Sequence, residues 1–218
     1  MKHLIIAGAG GFGRETYNSA RESIGYLKNF DIKGFLDDNI HSLDIFQNYP
    51  PVLGTIRDYF PQVDDVFVCA VGVVHTKKMI TQRLLERGAV FYTLIHKTSY
   101  ISMNVKIGIG CMILADTRIH CDATIGDYVT IQPKAIIGHD VVIGDWSFIN
   151  SYADCGGMSK IGEGVTINTT SFVVPHGVVG DNATIGAGSV TLRKVKAGTT
   201  VFGVPAKPIA IPQIKKTE

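Results

Sequence analysis

The chain has 218 residues, 45% of them apolar and 18% charged, with a net charge of +2. That is enough apolar material for a packed core in one large or two small domains. It is too little charge to mark a nucleic-acid or anionic-membrane binder, and no run of about 18 apolar residues predicts a membrane-spanning helix.

Lys2 and His3 lead into Leu4-Ile5-Ile6-Ala7, which reads as a buried strand. It is not the apolar region of a secretory signal, because Gly8 to Gly13 ends the run and no cleavage site follows. The stretch Gly8-Ala9-Gly10-Gly11-Phe12-Gly13 fits a tight strand-to-helix turn whose backbone N–H groups hold a phosphate. A helix is predicted from Arg14 to about Lys28. Strands are predicted at Ile32–Leu36, Val66–Val71 and Val90–Tyr92, with a helix over Thr76–Arg87 between the last two. This alternation implies a parallel sheet of three or four strands, an α/β Rossmann-like domain over residues 1–93. Asp37 and Asp38 end the second strand, where a carboxylate often meets a ribose or base. One such unit is half of a dinucleotide fold and so points to a mononucleotide or nucleotide-sugar. At this point glycine packing alone, and an NAD-dependent enzyme, stand as the alternatives.

From Ile101 onward a step of six residues lands on Ile or Val fourteen times in fifteen, ending at Ile185, with Cys155 the exception. Neither a helix nor an ordinary strand has that period. Gly or Asn follows most of these positions, as at Gly108, Gly126, Gly138, Gly144, Asn150 and Asn168, which suggests the left-handed backbone of a tight corner. Four residues past each Ile or Val the side chain is usually small, as at Cys111, Thr117, Ala123 and Ala135. One large and one small inward residue per short face describe a triangular coil of three hexapeptides. Such coils stack at about 4.8 Å and are stabilised as a one-dimensional array. Fifteen repeats predict five coils. Cys155 reads as a small buried hydrophobe in an inward slot. His120, His139 and His176 are irregularly spaced, so no metal site is expected. Cys69, Cys111, Cys121 and Cys155 lack paired spacing and read as free thiols of a cytoplasmic protein.

The repeat resembles that of the hexapeptide acyltransferases, whose parallel β-helix is left-handed. Both halves together resemble the bacterial nucleotide-amino-sugar N-acetyltransferases and sialic-acid O-acetyltransferases of surface-glycan biosynthesis. The resemblance rests on Gly8-Ala9-Gly10-Gly11-Phe12-Gly13-Arg14-Glu15, Gly34-Phe35-Leu36-Asp37-Asp38 and Leu94-Ile95-His96-Lys97. It continues through Ile137-Gly138-His139-Asp140-Val141-Val142-Ile143-Gly144-Asp145 and Phe202-Gly203-Val204-Pro205-Ala206-Lys207.

The resemblance implies a left-handed β-helix over residues 94–218, an acetyl-CoA-dependent acetyltransferase, and a homotrimer that holds acetyl-CoA between adjacent β-helices. On matching positions His139 is the general base, Asp140 its orienting partner and Gly157 the backbone donor to the oxyanion. Gly157, Gly203, Val204, Pro205 and Lys207 would line the cofactor groove. Gly8, Gly10, Gly11, Phe12, Gly13, Asp37, Asp38 and Gly72 would hold the acceptor. Chemistry agrees on the base: an attacking amine must lose a proton, and an imidazole suits that task near neutrality. Two positions depart from the family pattern. Phe148 stands nine residues after His139, where UDP-amino-sugar members carry a second His. Val73-Val74 follows Gly72, where those members carry polar residues. O-acetylation of a hydroxyl on sialic acid or serine, and a non-catalytic trimeric nucleotide-binding module, are the alternative readings.

Overall fold

The computed structural model describes residues 1–192 and 194–210. Strand β1 (Lys2–Ala7) is followed by helix α1 (Gly11–Arg21), β2 (Phe30–Leu36), β3 (Val52–Gly54), β4 (Asp65–Cys69), helix α2 (Val74–Leu85) and β5 (Val90–Phe91). The strands form one parallel sheet in the order β3-β2-β1-β4-β5. Central β1 is fully buried from Leu4 to Ala7, as a strand covered on both faces requires.

The sheet has five strands, one more than the largest number expected. The extra one, β3, is a half-buried three-residue edge behind Pro50-Pro51, too short to register as an apolar run. Helix α1 ends at Arg21 rather than near Lys28. Beyond it Gly25 and Leu27 take positive φ of 91° and 57°, and the Ile24 N–H donates to Ile95 O at 2.8 Å. A tertiary bond to the following domain replaces the last helical turn. Among the described residues no helix is long and apolar enough to cross a membrane.

From Leu94 the chain winds into a triangular parallel β-helix. Its first face carries Leu94–Ile95, Met112–Ile113, Thr130–Ile131, Phe148–Ile149, Thr166–Ile167 and Thr184–Ile185. The second face runs from Tyr100–Ile101 to Val190–Thr191, and the third from Lys106–Ile107 to Val178–Val179. Each rung bonds to the next: Met112 N–H donates to Val129 O, Thr130 to Ser147 O and Phe148 to Val165 O, at 2.9, 3.0 and 2.8 Å. The inward Ile and Val residues stack in register with the small ones as a single core. Cys155 lies inside it and burial pushes its thiol pKa up, which suits packing and not nucleophilic attack.

The prism is longer than the five coils expected, since the second face alone has six strands. It begins one repeat early, at Leu94–Ile95. Its upper end is masked in the sequence because the inward residue Thr191 is polar, though 2% exposed, and because Val195 pairs with Val179 out of phase.

The glycines that follow each Ile or Val are not the left-handed residues. Positive φ falls two positions later, on Asn104, Asp116, Asp122, Tyr128, Asp140, Trp146 and their equivalents. The earlier glycine is needed for space. A Cβ on Gly138 would stand 2.6 Å from Gly157 N, and one on Gly144 2.7 Å from Glu163 N. Asn150 and Asn168 use the same slot differently, donating from Nδ2 to Ile167 O and Ile185 O one coil on.

The α/β domain docks on the first face. Leu94, Met112 and Leu114 join Leu4, Ile6 and Phe35 in one core. Tyr128 and Trp146 stack at 4.2 Å and belong to a second shared core with Ile5, Phe67 and Leu84. Lys77 of α2, 1% exposed, reaches across to donate from Nζ to Tyr128 O and to Thr130 Oγ1.

Burial pulls Lys77 down to about 8. Between that value and its ordinary 10.5 the unfolded chain keeps a proton that the folded chain releases. Stability therefore rises with pH across this window and is flat below it. Relative to Lys77→Met, the wild type is expected to gain on the order of 3 kcal/mol over the window, read as thermal midpoints of the two proteins at each pH. A gap that stays constant would contradict the burial argument.

Candidate active site

The glycine loop joins β1 to α1. Gly8 has φ +105°, and a Cβ there would stand 2.9 Å from Ala70 O; one on Gly13 would strike Gly8 O. Those two glycines are demanded by packing. Gly10 and Gly11 are exposed, with nothing within 4 Å of an added Cβ. They open the α1 N-terminus, whose first N–H groups have no helical partner and favour an anion.

Asp37 does not point freely at a ligand. Its Oδ2 accepts from Ala9 N at 2.8 Å and its Oδ1 from Asn39 N at 2.9 Å. Asp38 accepts from Ile56 N at 3.0 Å. Both carboxylates thus order the loops around the strand ends. Asp37→Ala removes a charge-assisted bond of about 1.5–3 kcal/mol. Calorimetry is expected to show nucleotide binding weakened roughly tenfold or more; an unchanged Kd would mean that the loop holds itself. Gly72 is exposed in the turn that leads into α2.

His139 and Asp140 occupy the corner between the second and third faces. The His139 Nδ1 and Asp140 Oδ2 are 2.8 Å apart, and both side chains are about half exposed. Asp140 has φ +57°, a left-handed conformation that Asp tolerates better than most residues. This pairing leaves Nε2 free, and Nε2 faces Gly157 one coil on: a Cβ on Gly157 would lie 2.6 Å from it.

The Gly157 N–H has no acceptor among the described residues. At the corner between the third and first faces, the corresponding amides of Ile109, Asp127 and Glu163 are capped by Asp127, Asp145 and Asp181 Oδ1 at 2.8–2.9 Å. The residue one coil above Gly157 is Pro175, whose ring offers no acceptor. A free imidazole nitrogen and a free backbone N–H therefore share one exposed corner.

The structure brings His139, Asp140 and Gly157 together and leaves the acceptor-loop residues elsewhere. The α/β domain covers the first face, through Phe12 on Phe148 (ring centroids 5.8 Å apart), Lys77 on Thr130 and Lys78 on Glu163. His139 lies at the corner opposite that face. A ligand in the glycine loop is thus across the prism from the same chain's His139. Phe148, where a second His was expected from UDP-amino-sugar members, is 4% exposed and packs on Phe12.

Near the upper end of the prism Pro205 and Lys207 line a pocket of about 480 Å³. Gly203 and Val204 form the adjoining turn, with Gly203 N–H donating to Ser189 Oγ. Lys194 and Lys196 also line the pocket. Sequence reasoning missed them because they follow the point where the period breaks.

Comparison with known proteins fits this architecture. Residues 3–84 match the PglD N-terminal domain and residues 122–153 the bacterial transferase hexapeptide of six repeats. The chain is 28% identical to GDP-perosamine N-acetyltransferase of Escherichia coli O157:H7, over 94% of this chain and 81% of that one. The acetyltransferase domain of PglB from Neisseria gonorrhoeae FA1090, solved with acetyl coenzyme A, superposes with a TM-score of 0.86 at 28% identity, over 95% of this chain and 99% of that one.

The chain is similar to nucleotide-amino-sugar N-acetyltransferases over nearly its whole length. Another relative, UDP-N-acetylbacillosamine N-acetyltransferase of Bacillus subtilis, is 30% identical over 53% of this chain, and the match spans about half of that protein's length, 52%. PerB of Caulobacter crescentus, solved with CoA and GDP-perosamine, shares the fold at a TM-score of 0.86 and 22% identity, over 96% of this chain and 98% of that one.

Proposed function

We propose that this chain transfers acetyl from acetyl-CoA to the amine of a nucleotide-linked amino sugar in surface-glycan biosynthesis. The observation that carries the proposal is the corner where His139 Nε2 stands against Gly157, whose N–H is uncapped among the described residues. His139, oriented through Nδ1 by Asp140, takes the proton from the attacking amine. Gly157 N–H receives the charge that develops on the thioester oxygen. Lys194, Lys196 and Lys207 offer cations to the phosphates of CoA, and Pro205 an apolar wall beside them.

The acceptor is held by the glycine loop, with its phosphates on the α1 N-terminus. Because that loop and His139 occupy opposite sides of one prism, the reaction joins two chains. A homotrimer supplies the arrangement, each glycine loop facing a neighbour's His139 corner. The unpaired state of all four cysteines supports a cytoplasmic location.

The test is thiol release from acetyl-CoA against a panel of nucleotide-linked amino sugars, with sialic acid and serine alongside. Release with an amino sugar alone supports the proposal. Release with a hydroxyl acceptor alone would replace it by O-acetylation. No release from a folded trimer would favour a binding module.

A further inference from the structure

One buried cation plays no part in the chemistry at the His139 corner. Lys77 is 1% exposed, and its Nζ leaves the α/β domain to donate to Tyr128 O and, at 2.7 Å, to Thr130 Oγ1. The prism leaves that carbonyl available. Its ladder uses the carbonyls on either side: Asp127 O accepts from Trp146 N at 2.8 Å and Val129 O from Met112 N at 2.9 Å.

Burying an ammonium is costly, and the cost is offset only where its bonds are made. The bonds therefore select a position. The outward residues of the first face run Met112, Thr130, Phe148 and Thr166 along the prism. A domain shifted by one rung in either direction would set Lys77 beside Met112 or Phe148, with no hydroxyl to accept. The apolar part of the interface discriminates far less, because hydrophobic contact is not directional.

The selected position bears on the reaction. In the first turn of α2 the Lys77 N–H donates to Val73 O at 2.8 Å. Just before that turn lie Ala70 and Val71, whose O and Cγ2 would be 2.9 and 3.3 Å from a Cβ on Gly8. The glycine loop thus leans on the segment that Lys77 anchors. The loop's own contact with the prism is Phe12 on Phe148. Lys77 and Phe12 therefore hold the loop on two adjacent rungs, Thr130 and Phe148, which pair directly. His139 lies on the coil that joins those rungs, nine residues after Thr130 and nine before Phe148. With a rise of about 4.8 Å per coil, it stands about midway in height between them.

We infer that Lys77 is a positioning residue that sets the height of the glycine loop on the prism, so that the acceptor arrives at the level of His139. The inference rests on the functional reading above and on a trimer whose axis runs along the prisms, in which heights are kept from chain to chain. A slip of one rung would carry the acceptor about 4.8 Å away from that level.

The test is steady-state thiol release by the full chain with the nucleotide-linked amino sugar that the wild type accepts, beside calorimetry with the matching nucleoside diphosphate alone. Lys77→Met fills much of the same space without the ammonium. Its kcat is expected to fall on the order of 10²-fold, the scale of an ångström-sized misplacement, while the KM for acetyl-CoA and the Kd for the nucleoside diphosphate hold. Thr130→Val removes one of the two acceptors at nearly constant shape, and a smaller fall of the same pattern is expected. A lysine that only supports the fold would weaken nucleotide binding and kcat together, and that result overturns the inference. So does wild-type kcat in a folded Lys77→Met or, where that variant does not fold, in Thr130→Val. A wild type that acetylates no amino sugar overturns the functional reading and this role with it.

Discussion

His139→Ala is expected to release thiol from acetyl-CoA about 10²–10⁴-fold more slowly than the wild type in the presence of the acceptor, with an unchanged thermal midpoint. The two halves of this expectation have separate grounds. The side chain is half exposed at a corner and contributes nothing to the stacked core of Ile and Val residues. Its removal therefore leaves the coils intact. The imidazole is the group whose Nε2 stands against Gly157 in the next coil. Asp140→Asn separates orientation from charge. Asn tolerates the left-handed backbone at this position, so the corner keeps its shape while the carboxylate is lost. A smaller loss of kcat than in His139→Ala is expected, with the KM for acetyl-CoA unchanged. A His139→Ala protein within twofold of wild type would show that the proton leaves by another route.

The architecture was legible where a local rule repeats. A period of six can be counted along one chain, and each Ile at that period reports only on its own inward slot. The reason for the accompanying glycines was not legible. Gly138 is glycine because Gly157 lies one coil away, a contact nineteen residues distant that no local backbone rule describes. The left-handed positions themselves carry Tyr128, Trp146 and Met158, which composition would never select for positive φ. At the site, His139 and Asp140 were visible as neighbours, and Gly157 through family resemblance. Their relation to the glycine loop was not, because the docking of the α/β domain on the first face depends on pairs such as Phe12 with Phe148 and Lys77 with Thr130.

Gly157→Ala is expected to abolish most activity without touching stability, and Gly144→Ala to do the reverse. Both glycines belong to the β-helix, and neither has positive φ, so alanine strains neither backbone. What the new methyl meets decides the outcome. At Gly157 it would lie 2.6 Å from His139 Nε2 and 3.0 Å from the adjoining ring carbons. These atoms are the far end of an exposed side chain that can swing aside. The coil survives, but the imidazole leaves its place and the methyl fills the space where the thioester must approach the amide. A loss of about 10²–10³ in kcat is expected, the scale of removing one oxyanion donor. At Gly144 the methyl would lie 2.7 Å from Glu163 N and Gly162 C, which are backbone atoms of the next coil. They move only by unstacking a rung, an overpacking cost of about 1–3 kcal/mol. In a chain of this size each kcal/mol lowers the thermal midpoint by about 2–4 °C. Thiol-release rates and melting curves on the two variants separate the cases. If Gly157→Ala keeps wild-type kcat with acetyl-CoA, the opening before His139 does not belong to the reaction. If instead Gly157→Ala melts several degrees early, the glycine is there for the coil, and the site must be sought at another corner.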